Sequence, residues 1–451
     1  MLRNPRLNIL ILHGVADFAR ERQTTVRHVR ALARYAPGHR LAYQYVNHPV
    51  TDSLKLVPWD LVVFDATFLC WRWAQPRSLF ERVKADYGWL RSTGAFLAAL
   101  PQDDFDHSKV LDDWLADYEV DLVCSVYTEH RDILYPRVNA RNTPIVPTLA
   151  GYVDQDDVTL YRRLRRPFDQ RRITVGYRVR RLTNCGRFGI LKSEFGRRFA
   201  AAAKSKATTD ISDDPADTML AENWPRFLGD CRFALGSEGG SSVLDPTGAI
   251  RDRTLAYMAE HPAADFEEIA AACLTTDDEA RTFSTISPRV FEVAMAGCCP
   301  ILIRGCYNNL IAPEEHYIPI SPDLSDIEIA IERLRDDDEA KKIAARAAEA
   351  LLENPSLRYS RWVEDLMALV LQGLNGRKKC GMLSDQEFGM LIEEHQTQAR
   401  SQELQSYESL MADYRSEIER LNRSFEVERQ RLQQTLLNRI ERILRWIVTK
   451  K

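Results

Sequence analysis

The residues best arranged to do chemistry lie in the stretch SPRVFEVAMAGCCPILI, Ser287 to Ile303. Ser287 and Pro288 read as the cap and first turn of a helix, Gly297 as its C-terminal cap, and the apolar run after it as a buried strand. The first turn of such a helix offers free backbone N–H groups, and Arg289 beside them adds a cation, which together suit a diphosphate. Glu292, one turn further on, can accept hydrogen bonds from ribose hydroxyls. The plainer reading is a generic helix–strand connection with Arg289 and Glu292 as solvated neighbours.

Two more segments carry polar groups directly behind apolar runs. VGYRVRRL, Val175 to Leu182, supplies Arg178 and Arg180, and Lys192 follows at the next helix. Cations clustered there suit an anionic ligand, or they are an ordinary basic surface. LGSEGGSSVLDPTG, Leu235 to Gly248, puts Glu238 with glycines and serines where backbone can approach a ligand closely, and Glu238 would then meet sugar hydroxyls. It lacks the G-x-G-x-x-G dinucleotide spacing, and a turn closed by Asp245–Pro246 is the alternative. Nearer the N-terminus, His13–Gly14, Pro101–Asp106 and Thr128–His130 also follow apolar runs, so Asp103, Asp104, His13, Glu129 or His130 is available as a general base. His13, Asp104 and Glu238 are the catalytic candidates. Asp104–Phe105–Asp106 spells D-x-D, but among 65 acidic residues a three-letter match carries little weight, and no metal is expected.

The elements that must position these residues follow from the apolar pattern. Apolar β-rich runs at Asn8–Leu12, Leu41–Val46, Leu61–Ala66, Ala95–Leu100 and Asp121–Tyr127 alternate with helical stretches such as Thr24–Tyr35, the mark of βαβ units and a parallel sheet. After the Arg-rich segment Tyr161–Arg172 a second set follows, at Ile173–Val179, near Asp210, at Arg232–Glu238, Pro300–Arg304 and Tyr317–Ile320, with helices over Ser193–Lys204, Arg253–Glu260, Pro288–Ala296 and Asp326–Leu334. The fold class is therefore α/β, with two Rossmann-like open-sheet domains over 1–165 and 166–375. Their carboxyl strand edges enclose a cleft, where ligands of such sheets bind.

The length of 451 residues agrees with more than one core, and 45% apolar with 28% charged residues is an ordinary globular composition. A formal charge of -4 gives no global basic field, so nucleic acid is not an expected partner. Nine cysteines without C-x-x-C spacing read as reduced thiols of a cytoplasmic protein, and no run approaches the roughly 18 apolar residues of a membrane span.

The motif R-V-F-E-x-A-M-A-G before an apolar strand resembles the donor-site helix of GT-B glycosyltransferases, closest to the spore-maturation CgeB type. The likeness runs through LYP at Leu134–Pro136, VGYRVRRL, LGSEGGSSVLDPTG and EHYIPI at Glu315–Ile320, and so covers most of residues 1–370 in outline. It implies a metal-independent enzyme without a cofactor. The N-terminal domain would take a glycan, lipid-linked glycan or protein acceptor, and the C-terminal domain a nucleotide diphosphate sugar. Arg178, Arg180, Lys192, Arg289, Glu292 and Tyr317 would hold the donor. Many retaining members carry a second glutamate eight residues before the helix glutamate; here that position is Ser284, which leaves the stereochemistry open. Two rivals stand beside this reading: a nucleotide-sugar epimerase, and a non-catalytic GT-B-like scaffold.

A third module is expected over 384–451, behind a glycine-containing linker at about 373–383. Leu404, Tyr407, Met411, Tyr414, Ile418, Leu421, Phe425 and Leu432 follow coiled-coil spacing, which calls for a homo-oligomer, the alternative being that the strip folds back onto the catalytic domains. The last helix pairs an apolar face and Trp446 with Arg439, Arg442, Arg445, Lys450 and Lys451. That pattern suits peripheral contact with an anionic inner membrane face, and equally a continued coiled coil.

Overall fold

The computed structural model describes residues 6–262, 264–275, 280–377, 381 and 383–405. They form two compact units, one made of the chain up to 47 together with 58–382, the other of 48–57 with the segment beginning at 383.

The larger unit contains two parallel sheets. In the first, β1 (Asn8–His13), β2 (Arg40–Tyr45), β3 (Leu61–Phe64), β4 (Phe96–Ala99), β5 (Leu122–Ser125) and β6 (Ile145–Pro147) lie in the order β2-β1-β3-β4-β5-β6. In the second, β7 (Ile173–Arg178), β8 (Thr209–Ser212), β9 (Cys231–Gly236), β12 (Cys299–Ile303) and β13 (Ile318–Ile320) are ordered β13-β12-β9-β7-β8. Between β9 and β12 a two-stranded antiparallel piece, β10 (Gly239–Ser241) with β11 (Phe283–Thr285), brackets two helices, Ala249–Glu260 and Phe266–Cys273. Every run read as a strand contains one; most are buried on both faces and so are near-continuous apolar runs, while β2 and β8 at the sheet edges are largely half-buried. The short β6 was not expected: it holds three half-exposed or exposed residues, too few for any period to show.

In each sheet the strand order reverses direction once, at β1 and β3 in the first and at β7 and β9 in the second. Connections diverge there and leave a crevice beyond the carboxyl ends of the strands. The two regions are braced by the segment after β10. Asp245 N–H donates to Phe105 O at 2.9 Å, and Arg251 pairs with Asp106 at 2.7 Å.

The expected boundary at 375 needs correction. Helix Tyr359–Leu374 buries Tyr359, Trp362, Val363, Leu366, Met367 and Val370 in the core of the first sheet, with Ile9, Ile11, Val29 and Phe96. The chain thus returns to the N-terminal domain, because the amphipathic face of this helix matches the apolar surface left open beside the helix Gln23–Tyr35 and β4.

The smaller unit holds a helix over 385–405 that packs with residues from 48–57. Thr51 Oγ1 lies 2.9 Å from His395 Nδ1, and His48 lies 3.3 Å from Glu403. The described part of the tail is therefore not a module of its own; it shares one with a loop from the first domain. The coiled-coil repeat beyond residue 405 and the basic end lie outside the described residues. Among the described residues no helix is long and apolar enough to cross a membrane.

Candidate functional site

The helix Pro288–Ala296 forms as the sequence predicts. Ser287 Oγ accepts from Arg289 N–H, Pro288 occupies the first turn, and Gly297 caps the end at φ 63°, a left-handed conformation that a β-carbon would strain. Its N-terminus points into a cleft made of three connected cavities, all of which share Arg22 and Ser287 as lining residues.

The first cavity holds Glu292. The residue is 9% exposed, and its Oε2 accepts the indole N–H of Trp224 at 2.7 Å. Burial pushes the carboxyl up to about 7, against the pull of the Trp224 hydrogen bond and of the Arg289 charge. Trp224 stacks on Phe227 and carries the Arg289 guanidinium 5.3 Å above its ring, so one aromatic platform positions both polar groups. Val179, Met219, Leu220 and Pro225 complete an apolar wall beside them.

The second cavity gathers cations. Arg180, Lys192 and Arg289 line it together with the turn Gly236–Gly239, and Arg22 reaches in from the loop after β1. Among the described residues none of these four forms an ion pair with a carboxylate. Burial lowers the Arg22 guanidinium, and like charge from Arg289 and Arg180 lowers it further. Burial also lowers the Lys192 ammonium, whose Nζ rests 4.7 Å from the Phe188 ring. Glu238 lines the same wall, and Asp103 and Glu292 also act on these cations from nearby, but four cations held in no ion pair on one concave wall leave a positive potential, and such a place favours a polyanion.

The third cavity lies toward the first sheet. His28, Asp65, Thr67, Gln102, Asp103 and Tyr127 face Gly239, Gly240, Thr285 and the start of the 288–296 helix across it. Asp103, at the end of the loop after β4 with φ 53°, is open to the cavity.

Arg180, Lys192, Arg289, Glu292 and Glu238 all line the cleft, but Glu238 is already engaged there. Its Oε1 accepts the backbone N–H of Tyr307 at 2.6 Å, and a β-carbon on Gly305 would collide with its carboxylate. It holds the 305–307 turn against β9 and is not a free acid or base.

Four expectations are corrected. Arg178 frames the first cavity, but its guanidinium is spent on Asp210 at 2.8 Å and on the carbonyls of Tyr177 and Asp210, so its charge is neutralised within the fold. Tyr317 is completely buried against Tyr307, away from all three cavities. His13 is 4% exposed among Phe18, Tyr43 and Tyr45, and its Nδ1 accepts from Val15 N–H; β1 simply carries it into the core. Asp104 is fully buried, with Oδ2 accepting from Ser125 at 2.6 Å and Tyr135 at 2.5 Å. Asp106 instead binds His107 and Arg251, so the two carboxylates of the D-x-D spelling serve separate networks. Glu129 and His130 line none of the three cavities.

Sequence reasoning missed Arg22, Trp224, His28 and Asp65. Asp65 does stand where the chain leaves β3, and Arg22 directly before the helix Gln23–Tyr35 that follows β1, and those placements are the signal that could have found them.

No family model matches the chain, and no curated protein matches it. Its fold is nevertheless similar to solved structures. An α-glucosyltransferase in complex with UDP-glucose and DNA containing an abasic site superposes with a TM-score of 0.50 at 10% identity, covering 81% of this chain and 100% of that one. HepE from Anabaena in complex with UDP-glucose gives 0.45 at 9% identity, covering 80% and 100%. Sucrose-phosphate synthase from Thermosynechococcus elongatus gives 0.42 at 13% identity, covering 81% and 99%. The first superposition shows that the chain has the GT-B fold.

Proposed function

We propose that this protein is a glycosyltransferase that moves a sugar from a nucleotide diphosphate sugar to a glycan, lipid-linked glycan or protein acceptor. The observation that carries the reading is the convergence of Arg22, Arg180, Lys192 and Arg289 on one cavity wall without a carboxylate partner, one turn of helix from Glu292. The UDP-glucose bound by the similarly folded α-glucosyltransferase supports it.

In this reading the nucleoside lies in the first cavity, with its base against Val179, Met219 and Trp224 and its ribose hydroxyls donating to Glu292. The diphosphate takes the second cavity. There the four cations meet the negative charge that grows on the departing oxygen, so they stabilise the transition state more than the bound donor. Neutralisation by side chains is the basis on which we read the reaction as metal-independent. Arg22 comes from the N-terminal domain and the other three cations from the C-terminal one, so a bound diphosphate also ties the two halves of the cleft together. The acceptor enters the third cavity. Kinship with the CgeB type rests on the motif Arg289–Gly297, and self-association on the repeat Leu404–Leu432.

Calorimetric titration with UDP, GDP and dTDP, with the corresponding nucleosides as controls, tests the assignment. One diphosphate should bind at least tenfold more tightly than its nucleoside. If none of the three binds, the scaffold reading takes its place. Sugar transfer or release from the bound donor separates a transferase from an epimerase, which would change only the donor.

A further inference from the structure

One buried pair is used by nothing above. His28, on the helix that follows β1, and Asp65, directly after β3, meet at the carboxyl ends of the two strands where the first sheet reverses its order. His28 Nδ1 lies 2.8 Å from Asp65 Oδ2. Asp65 is fixed in turn: its Oδ1 accepts from Thr67 N–H at 2.8 Å and from the Thr67 hydroxyl at 2.6 Å. Thr67 Oγ1 accepts from Gly14 N–H at 2.9 Å, and Gly14 is needed there because a β-carbon would lie 2.4 Å from Thr67 O. Burial opposes ionisation of Asp65, but the hydrogen bonds from His28 and Thr67 outweigh it and hold the carboxyl below its ordinary value.

An ionised carboxylate only accepts, so Nδ1 of His28 carries a proton, and in the neutral ring the lone pair is on Nε2. No hydrogen bond to Nε2 is formed among the described residues, and the ring, 5.1 Å from that of Trp362, lines the third cavity. That cavity shares Arg22, Ser287 and Gly239 with the cation-lined one. The other ionisable groups lining it are Arg22, Cys70, Asp103 and Tyr127. Burial pushes the Cys70 thiol up to about 12 and Tyr127 well above its ordinary value, so neither takes a proton near neutral pH. Asp103 is the remaining candidate base, but no hydrogen bond orients its carboxylate, whereas His28 is held by a partner that is itself held.

We propose that His28 and Asp65 form the general-base dyad that activates the acceptor, and that transfer inverts the anomeric centre. The proposal rests on the glycosyl-transfer reading above. The acceptor hydroxyl gives its proton to His28 Nε2 while its oxygen bonds to the anomeric carbon. The bond from that carbon to the diphosphate oxygen breaks, and its electron pair leaves with the nucleoside diphosphate onto Arg22, Arg180, Lys192 and Arg289. Asp65 stabilises the imidazolium without taking the proton.

The test uses the full chain with UDP-glucose, GDP-mannose and dTDP-glucose, water or glycerol serving as acceptor. His28→Gln, Asp65→Asn and Asp103→Asn are compared by diphosphate affinity, turnover against pH and the anomeric configuration of the product. The dyad requires His28→Gln and Asp65→Asn to bind the diphosphate within about threefold of the unaltered chain and to lose turnover at least a hundredfold. The unaltered chain and Asp103→Asn should share one acidic limb in the pH profile, and the product should be inverted. Full turnover with an unchanged acidic limb in both dyad variants overturns the proposal, as does loss confined to Asp103→Asn or a retained configuration. Nitrogen NMR of the unaltered chain guards against misfolded variants: His28 protonated only on Nδ1 at neutral pH supports the dyad, and protonation only on Nε2 overturns it. If the unaltered chain binds none of the diphosphates, the transfer reading itself fails and takes the dyad with it.

Discussion

The indole N–H of Trp224 donates to Glu292 Oε2 at 2.7 Å, within the cavity that the Pro288–Ala296 helix opens onto. One oxygen of a buried carboxylate is thereby fixed, and its remaining acceptor capacity is aimed at whatever occupies the cleft. The pair joins a residue the motif announces to one it does not.

Glu292→Gln should give a pH-dependent gain in stability and a loss of nucleotide affinity. The folded value of about 7 lies above the ordinary 4.5, so across that window the native chain keeps a proton that the unfolded chain has lost. Stability therefore falls as pH rises through the window, and the cost is complete above it, at most about 3 kcal/mol. Urea denaturation at pH 5 and pH 8 should show the variant gaining stability only at the higher pH. Its affinity for the preferred diphosphate should drop by roughly 1–2 kcal/mol with loss of the charged acceptor.

Arg22→Ala and Arg178→Ala should part company. Removing Arg22 takes a cation from the donor wall and should weaken diphosphate binding about tenfold or more, with a shallower dependence on salt and an unchanged melting temperature. Removing Arg178 strands Asp210 and two carbonyls, so the expected loss is about 1–3 kcal/mol of stability with little direct effect on affinity. Calorimetry and thermal melting on both variants decide the point; equal affinity losses would return Arg178 to the donor site.

Asp104→Leu should destabilise the fold by about 1–3 kcal/mol, because the Ser125 and Tyr135 hydroxyls lose their shared acceptor inside the core. Asp104→Asn keeps an acceptor at that place and should cost less. Both variants should still bind nucleotide and turn over donor at temperatures where they are folded. A soluble, stable Asp104→Asn without activity would restore the catalytic role that the structure denies it.

Trp362→Ala probes the return of the last helix to the first domain. The side chain is 7% exposed and stacks on Tyr152 at 5.4 Å, so its loss should cost about 3–5 kcal/mol. Ending the chain at residue 358 should remove the whole covering helix and leave no cooperative unfolding transition. If such a fragment melts cooperatively at the original temperature, the helix is not part of that core.

What the sequence determined by itself was local. Apolar runs long enough to cross a sheet marked ten of the strands, and the signals at Ser287, Pro288 and Gly297 fixed the ends of the donor-site helix, because N-caps and C-caps are set by adjacent backbone. The cations Arg180 and Arg289 were legible for the same reason, since each stands where a strand hands over to a helix, and Lys192 lies in the second turn of the helix that follows β7. Tertiary structure decided the rest. Asp103 and Asp104 are neighbours, and only the positive φ of Asp103 sends one carboxylate to the cleft and leaves the other in the core. His28 and Asp65 are 37 residues apart in the chain; the parallel pairing of β1 with β3 brings the segments after them together and the two side chains within 2.8 Å. Arg178 and Arg180 look alike in sequence, and Asp210, on the neighbouring strand β8, neutralises only the first. Charge and chemistry are properties of residues, but whether a charge is spent or free depends on what the fold places beside it.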